Sequence, residues 1–142
     1  MIEAAVDGAG ERVGVMVVTV LTSLDPAALA AAWGRPRVEI REEVLRLAQM
    51  AREAGAHGVV CGGAEAAAVR AEHGDSLAIL VPGIRLTGGE SHDQARIATP
   101  RAAIEAGARY LVLGRAVTEA SDPQATLAAI RREIELAAQP AG

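Results

Sequence analysis

Four short runs of Val, Leu and Ile recur along the chain, and none of them alternates apolar with polar residues. The runs are RVGVMVVTVL (12–21), HGVVC (57–61), LAILV (77–81) and YLVLG (110–114). Continuous apolar runs of this length are typical of parallel strands that are covered on both faces. We therefore predict four parallel strands over these ranges.

Helical segments separate the four runs. Asp25-Pro26 is a start signal for a helix within residues 23–34, and we expect Ser23 to be its N-cap. Segment 38–54 repeats apolar residues at helical spacing before Gly55. Further helices are predicted over 64–72, after Thr99-Pro100 and from Asp122-Pro123 to about 138, and residues 2–6 resemble the end of another helix. Alternating strands and helices predict an α/β fold of βα units in one domain over residues 1–142.

Composition narrows the possible partners. The 142 residues are 51% hydrophobic and 23% charged, with a net charge of −4, one Tyr, one Trp and no Phe. An acidic chain with so few aromatic rings has little to offer a nucleic acid, and no apolar run is long enough for a membrane span. The single cysteine, Cys61, excludes an intramolecular disulfide and favours the reducing cytoplasm. We therefore expect a soluble cytoplasmic protein with neither nucleic acid nor membrane as partner.

Two arginines follow the last two predicted strands. Arg85 comes after LVPGI and Arg115 after YLVLG, where Gly114 lets the backbone approach a ligand closely. In βα folds, ligands bind at the carboxyl ends of the strands, and phosphate is commonly held by the loops after the last two strands. The sequence therefore predicts a phosphate site between Arg85 and Arg115. The alternative is that both side chains are solvated or paired with nearby acids.

The segment between the third strand and the next helix, about 83–98, is longer than an ordinary βα connection. Its glycines permit hinge motion, and Gln94 could donate an amide hydrogen bond to an anion when the segment closes. We interpret the segment as a phosphate-binding lid, with a disordered insertion as the alternative. His92 within it is expected to be solvated.

The remaining polar candidates are few. Thr22 follows the first strand and could hydrogen-bond a polar ring. Cys61 is expected to be a buried apolar thiol because no motif places a histidine to activate it. His57 and His73 lack metal-ligand spacing with each other or with Cys61, so we expect no metal.

Taken together, the motifs VTVLTSL, GVVC, LVPGIR, DQARIATP and GARYLVLGRAVTEASDP resemble the C-terminal half of the orotidine 5'-phosphate decarboxylase family over nearly the whole chain. The resemblance implies four βα units forming half of a TIM (β/α)8 barrel of the ribulose-phosphate-binding type. It also implies a cofactor-free carboxy-lyase that converts orotidine 5'-phosphate to UMP in pyrimidine biosynthesis.

The resemblance also assigns roles to particular residues. Thr22 matches the threonine that contacts the pyrimidine, and four others match residues that contact the nucleotide, mainly at its phosphate: Arg85, Gln94, Gly114 and Arg115. The chain departs from the family pattern with CGG in place of CSA, with Leu86 where proline usually follows the arginine, and with Ala116 where GRP is common. These differences are expected to loosen the loop geometry only slightly.

The family's catalytic network has no counterpart in the sequence. Its decarboxylases use a D-x-K-x-x-D motif, whereas all 14 basic residues here are arginines. We therefore assign no catalytic residue and expect catalysis by this chain alone to be doubtful. The expectation is that four further βα units carrying that motif are encoded upstream of Met1, and that the open barrel edges cause dimerisation or other self-association.

Three alternatives remain open at this stage. The chain could be a non-catalytic half-barrel that binds a nucleotide or phosphate, or a gene fragment. Another phosphate-binding barrel enzyme, such as a keto-sugar-phosphate decarboxylase, is a weaker alternative, because the DQ and TP segments argue against it.

Overall fold

The computed structural model describes residues 1–86 and 98–138. Within these ranges the strands are β1 (Met16–Val18), β2 (Gly58–Val60), β3 (Ala78–Val81) and β4 (Tyr110–Leu111). The helices are α1 (Ile2–Ala9), α2 (Pro26–Ala32), α3 (Ile40–Glu53), α4 (Gly63–His73), α5 (Pro100–Glu105), α6 (Arg115–Thr118) and α7 (Pro123–Ala137). None of these helices combines the length and the apolar character needed to cross a bilayer.

The four strands form one parallel sheet in the order β1-β2-β3-β4. This confirms the α/β prediction of consecutive parallel βα units. The strands are shorter than the apolar runs that predicted them. Arg12 belongs to a short 3₁₀ turn, and β1 begins only at Met16, where pairing with the short β2 begins. Apolar character therefore extends beyond the residues that have a partner strand.

One face of the sheet and the helices that cover it form the main core. Val59, Ile79 and Val81 are at most 1% exposed on this face. They belong to the same core cluster as Val44 of α3 and Val69 of α4, which are fully buried. Removing such side chains from water at about 25 cal/mol per Å² is the main favourable contribution to folding.

Helix starts follow the predicted signals with one correction. Asp122 and Thr99 cap α7 and α5, each accepting a hydrogen bond from the backbone N–H three residues later. The prediction that Ser23 caps α2 is wrong. Asp25 is the cap, because its Oδ1 accepts a hydrogen bond from the Ala28 N–H at 2.7 Å and Pro26 occupies the first helical position.

A buried carboxylate joins the loop before α3 to the helix itself. Glu43 is 6% exposed and accepts hydrogen bonds from Arg35 and, at 2.7 Å, from Arg46 Nε. The hydrogen bond from Arg35, followed by that from Arg46, holds the pKa of Glu43 below its ordinary value. The ionised form of Glu43 therefore contributes to the stability of the fold.

We expect Glu43→Gln to lower the free energy of unfolding by about 1–2 kcal/mol near pH 7, because the arginines lose their charged acceptor. A carboxylate with a lowered folded-state pKa stabilises the protein above its unfolded value, about 4.3, and this contribution disappears as the pH falls through the folded-state pKa. Urea unfolding at about pH 7 and about pH 3.5 should therefore show the difference between wild type and variant shrinking in acid.

The matched control for that experiment is Glu42→Gln. Glu42 lies in the same first turn of α3 but is exposed, so both variants lose the same interaction with the helix dipole. Equal destabilisation by the two variants at about pH 7 would contradict the role given to Glu43.

Candidate functional site

Three of the polar residues singled out in the sequence occupy equivalent positions relative to their strands. Thr22, Arg85 and Arg115 each lie four residues beyond the last residue of β1, β3 and β4, respectively. Because the strands are parallel, these three positions lie beyond the carboxyl ends of the strands, on the same side of the sheet. This side is called the carboxyl edge below. The two arginines follow neighbouring strands, whereas Thr22 follows the strand at the opposite side of the sheet.

Arg85 is held in place by its backbone and by the burial of its side chain. Only 7% of the residue is exposed, and its Nη1 donates a hydrogen bond to the Ile84 carbonyl at 2.8 Å. Its backbone N–H donates to the Ala98 carbonyl at 2.9 Å. A guanidinium is permanently charged and presents a planar set of donors, which suits an anionic ligand.

The two ends of the segment interpreted as a lid meet at a parallel bridge. Ile84, which is fully buried, pairs with Ala98. The Ala98 N–H also donates to the Gly83 carbonyl at 3.4 Å. Gly83 has a φ of 71°, a conformation that costs a residue with a side chain roughly 1–2 kcal/mol. Gly83 therefore allows the turn that brings Arg85 alongside Ala98.

Gly114 and Arg115 lead from β4 into α6. The Gly114 carbonyl accepts hydrogen bonds from the Val117 and Thr118 N–H groups at 2.8 and 3.1 Å. Among the described residues other than its chain neighbours, none has an atom within 4 Å of a Cβ built on Gly114, so they leave space beside this backbone. Arg115 is partly buried at the start of α6. This turn was not predicted as a helix because four residues carry no helical period.

The structure describes two of the remaining candidate residues, Thr22 and Cys61. Thr22 is 9% exposed, and Cys61 is fully buried at the end of β2, as expected for an apolar thiol. Gln94, His92 and most of the proposed lid lie outside the described residues. Across residues 1–86 and 98–138, no three His, Cys, Asp or Glu side chains group closely enough to hold a metal.

Sequence reasoning overlooked two features of this edge. The first is the pairing of Ile84 with Ala98, whose only signal is an apolar residue at each end of a polar segment. The second is Glu65, a carboxylate only 7% exposed in the first turn of α4. An acid in a first helical turn is favoured by the helix dipole, but its burial could not be seen in the sequence.

Comparison with known proteins matches the chain to one family. The family model described as "Orotidine 5'-phosphate decarboxylase / HUMPS family" matches residues 1–130. The chain is 50% identical over 135 residues to the orotidine 5'-phosphate decarboxylase of Thermobifida fusca (strain YX), covering 95% of this chain and 57% of that protein. It is also 50% identical over 132 residues to the protein of the same name from Anaeromyxobacter sp. (strain K), covering 92% and 56%.

The fold gives the same result. The crystal structure of orotidine 5'-phosphate decarboxylase from Lactobacillus acidophilus superimposes with a TM-score of 0.76 at 36% identity, over 94% of this chain and 58% of that one. The chain thus spans little more than half the length of the relatives it matches. Its four βα units are consistent with half of a (β/α)8 barrel, as the family resemblance implied.

We expect Gly83→Ala to weaken the binding of inorganic phosphate, because relieving the strained backbone at this position would move Arg85 away from Ala98. The matched control is Gly34→Ala. Gly34 has a similar φ of 62° with no other atom near a built Cβ, but it follows α2. Calorimetric titration should show reduced affinity only for Gly83→Ala, although thermal unfolding should show both variants destabilised by roughly 1 kcal/mol. Unchanged phosphate affinity in Gly83→Ala would show that this turn does not contribute to phosphate binding.

Proposed function

The chain belongs to the orotidine 5'-phosphate decarboxylase / HUMPS family, and from this membership we propose that it forms the nucleotide-binding half of a decarboxylase. The relatives are named orotidine 5'-phosphate decarboxylases, and the reaction proposed here is the decarboxylation of orotidine 5'-phosphate to UMP in pyrimidine biosynthesis. The observation that carries the proposal is the equivalent placement of Arg85 and Arg115 after the neighbouring strands β3 and β4. Two permanently charged guanidinium groups at such positions suit a phosphate dianion.

Each proposed contact uses the chemistry of its side chain. Arg85 and Arg115 would bind the phosphate oxygens through charge-assisted hydrogen bonds, and the open space at Gly114 would let the ligand approach the backbone. Gln94 would add an amide donor from the lid. Thr22, at the other side of the sheet, would hydrogen-bond the pyrimidine ring. In this arrangement the nucleotide lies across the carboxyl edge, with its phosphate near β3 and β4.

The chemical step needs groups that these positions do not provide. Loss of CO2 leaves a carbanion on the pyrimidine, which must be stabilised and then protonated. The resemblance assigns the proton to a lysine, and the 142-residue sequence contains none. Phosphate contacts remote from the reacting carbon can drive distortion and orientation, but they deliver no proton. We therefore infer that these residues bind and orient the nucleotide, that no cofactor takes part, and that this chain alone does not turn it over.

A second candidate is a protein whose function is nucleotide or phosphate binding alone. The lysine-free sequence favours it, because the proposed phosphate contacts are arginines and need no lysine. Both candidates share the same small-molecule partner, orotidine 5'-phosphate or UMP, and the cytoplasm as the proposed setting. Self-association is also part of the proposal, since β1 and β4 each have only one neighbouring strand among the described residues.

The purified chain is expected to bind UMP without releasing CO2 from orotidine 5'-phosphate at an enzymatic rate. Both measurements should be made on one preparation, calorimetry for UMP and capture of labelled CO2 for turnover, so that binding controls for folding. Measurable turnover that Arg115→Ala abolishes would show that the chain is catalytic by itself.

Arg115→Ala should weaken UMP binding by about 1.5–3 kcal/mol, or roughly 10–150-fold in dissociation constant, because a charge-assisted hydrogen bond to the phosphate is lost. Arg115→Lys should recover only part of that loss, since the planar fork of donors is absent. The control is Arg132→Ala, which removes the same charge from the exposed surface of α7. If Arg132→Ala weakens UMP binding as much as Arg115→Ala, Arg115 contributes only through the overall charge of the chain.

A further inference from the structure

The start of α4 lies directly against the residue that pairs with the Arg85 backbone. A Cβ built on Gly63, the first residue of α4, would lie 2.4 Å from the Ala98 Cβ. Carbon atoms in ordinary contact are about 3.5–4.0 Å apart. Only a residue without a side chain therefore lets α4 and Ala98 approach this closely. Gly63 belongs to the CGG segment that stands in place of the family's more common CSA, so this close approach is a feature of this chain.

The core holds α4 in its position. Ala66 and Val69 of this helix are fully buried and belong to the main core cluster. Protein interiors are close-packed, so moving the helix away from Ala98 would open a gap in the cluster and lose its contacts. The helix therefore has little freedom to make room for a side chain at Gly63.

Two backbone hydrogen bonds tie Ala98 to the turn that carries Arg85. The Ala98 N–H donates to the Gly83 carbonyl at 3.4 Å, beyond the usual range of about 2.7–3.2 Å for such bonds. The Ala98 carbonyl accepts from the Arg85 N–H at 2.9 Å. A displacement of Ala98 is thus opposed at first by a bond that is already long. It would also remove the backbone partner that fixes Arg85.

We propose that Gly63 is a positioning residue for the phosphate site and that it acts through Ala98. Because Gly63 has no side chain, Ala98 can remain where its carbonyl receives the Arg85 N–H. The proposal rests on the proposed function, in which Arg85 binds the phosphate. The dependence of Arg85 on Gly63, however, can be measured without a nucleotide.

The test uses a clash and its relief. Gly63→Ala introduces the clash, and Ala98→Gly in the same chain removes the atom that causes it. The nearest remaining contacts of the built Cβ, Val81 Cγ1 at 3.7 Å and the Ala98 Cα at 3.8 Å, are ordinary distances. The control is Gly8→Ala in α1, where no described residue has an atom within 4 Å of the built Cβ, apart from the chain neighbours and the helix's own backbone.

Amide hydrogen exchange without ligand measures the positioning directly. The reference amide is that of Arg109, whose N–H donates to the Ile79 carbonyl at 2.8 Å. Gly63→Ala should lower the protection of the Arg85 amide relative to the reference by roughly 3–30-fold, a coupling typical of residues in contact. The double variant should match Ala98→Gly alone, and the control should match wild type.

Three exchange results would overturn the proposal. The first is unchanged protection of Arg85 in Gly63→Ala, and the second is an equal loss at Arg85 and the reference amide, which would reflect general stability alone. The third is a double variant in which Arg85 is as poorly protected as in Gly63→Ala.

Calorimetry with UMP then connects the contact to binding. Gly63→Ala should weaken UMP binding by roughly the same factor of 3–30, and the double variant should bind UMP as Ala98→Gly does. Equal UMP affinity of wild type and Gly63→Ala would show that Gly63 does not position the phosphate site. A wild type that binds no UMP would overturn the proposed function, whereas the exchange measurement would still decide whether Gly63 fixes Arg85.

Discussion

The parallel register of the four strands is the constraint on which the rest of the structure depends. It aligns Val59 with Ile79 on the face that the helices cover, and this alignment lets α3 and α4 bury one continuous core. The same register brings every strand to its carboxyl end at one edge. Positions equally far beyond the strands consequently share that edge, and Arg85 and Arg115 are two of them. The parallel register therefore determines both the core packing and the position of the candidate site.

The contacts that fix the candidate site are different from those that stabilise α3. Arg85 is fixed by backbone pairing with Ala98 and by the turn at Gly83. In contrast, the hydrogen bond between Arg35 and Glu43 joins α3 to the loop before it. A buried guanidinium carries a desolvation cost that good acceptors offset. The Ile84 carbonyl supplies one acceptor. The proposed phosphate would add others at a position that the fold has already fixed, which reduces the ordering cost of binding.

Much of this architecture could be predicted from local signals. Thr99-Pro100 and Asp122-Pro123 indicated α5 and α7, because a capping oxygen followed by proline at the first helical position acts over only a few residues. The prediction of Ser23 as a cap is wrong because the same local rule favours Asp25, which directly precedes Pro26 at the first helical position of α2. The predicted start of β1 at Arg12 was too early because the extent of pairing depends on the length of the neighbouring strand.

Features that depend on distant contacts were beyond prediction from the sequence. The pairing of Ile84 with Ala98 and the burial of Glu65 have almost no local signature. The arginines could be predicted because strand ends in βα folds share one edge, whatever the loop geometry. Their contacts with a nucleotide stay a prediction, as do those of Thr22 and Gln94. Membership in the family is shown by similarity over most of the chain.

The central claim is that a nucleotide phosphate binds at the carboxyl edge between β3 and β4. Its most direct test is an NMR titration of the isotope-labelled chain with UMP, which reports on each backbone amide separately. The account predicts that the largest shift changes fall on Ile84, Arg85, Gly114 and Arg115. Changes confined to the opposite edge of the sheet, around Arg12 and His57, or no saturable change at all, would contradict it.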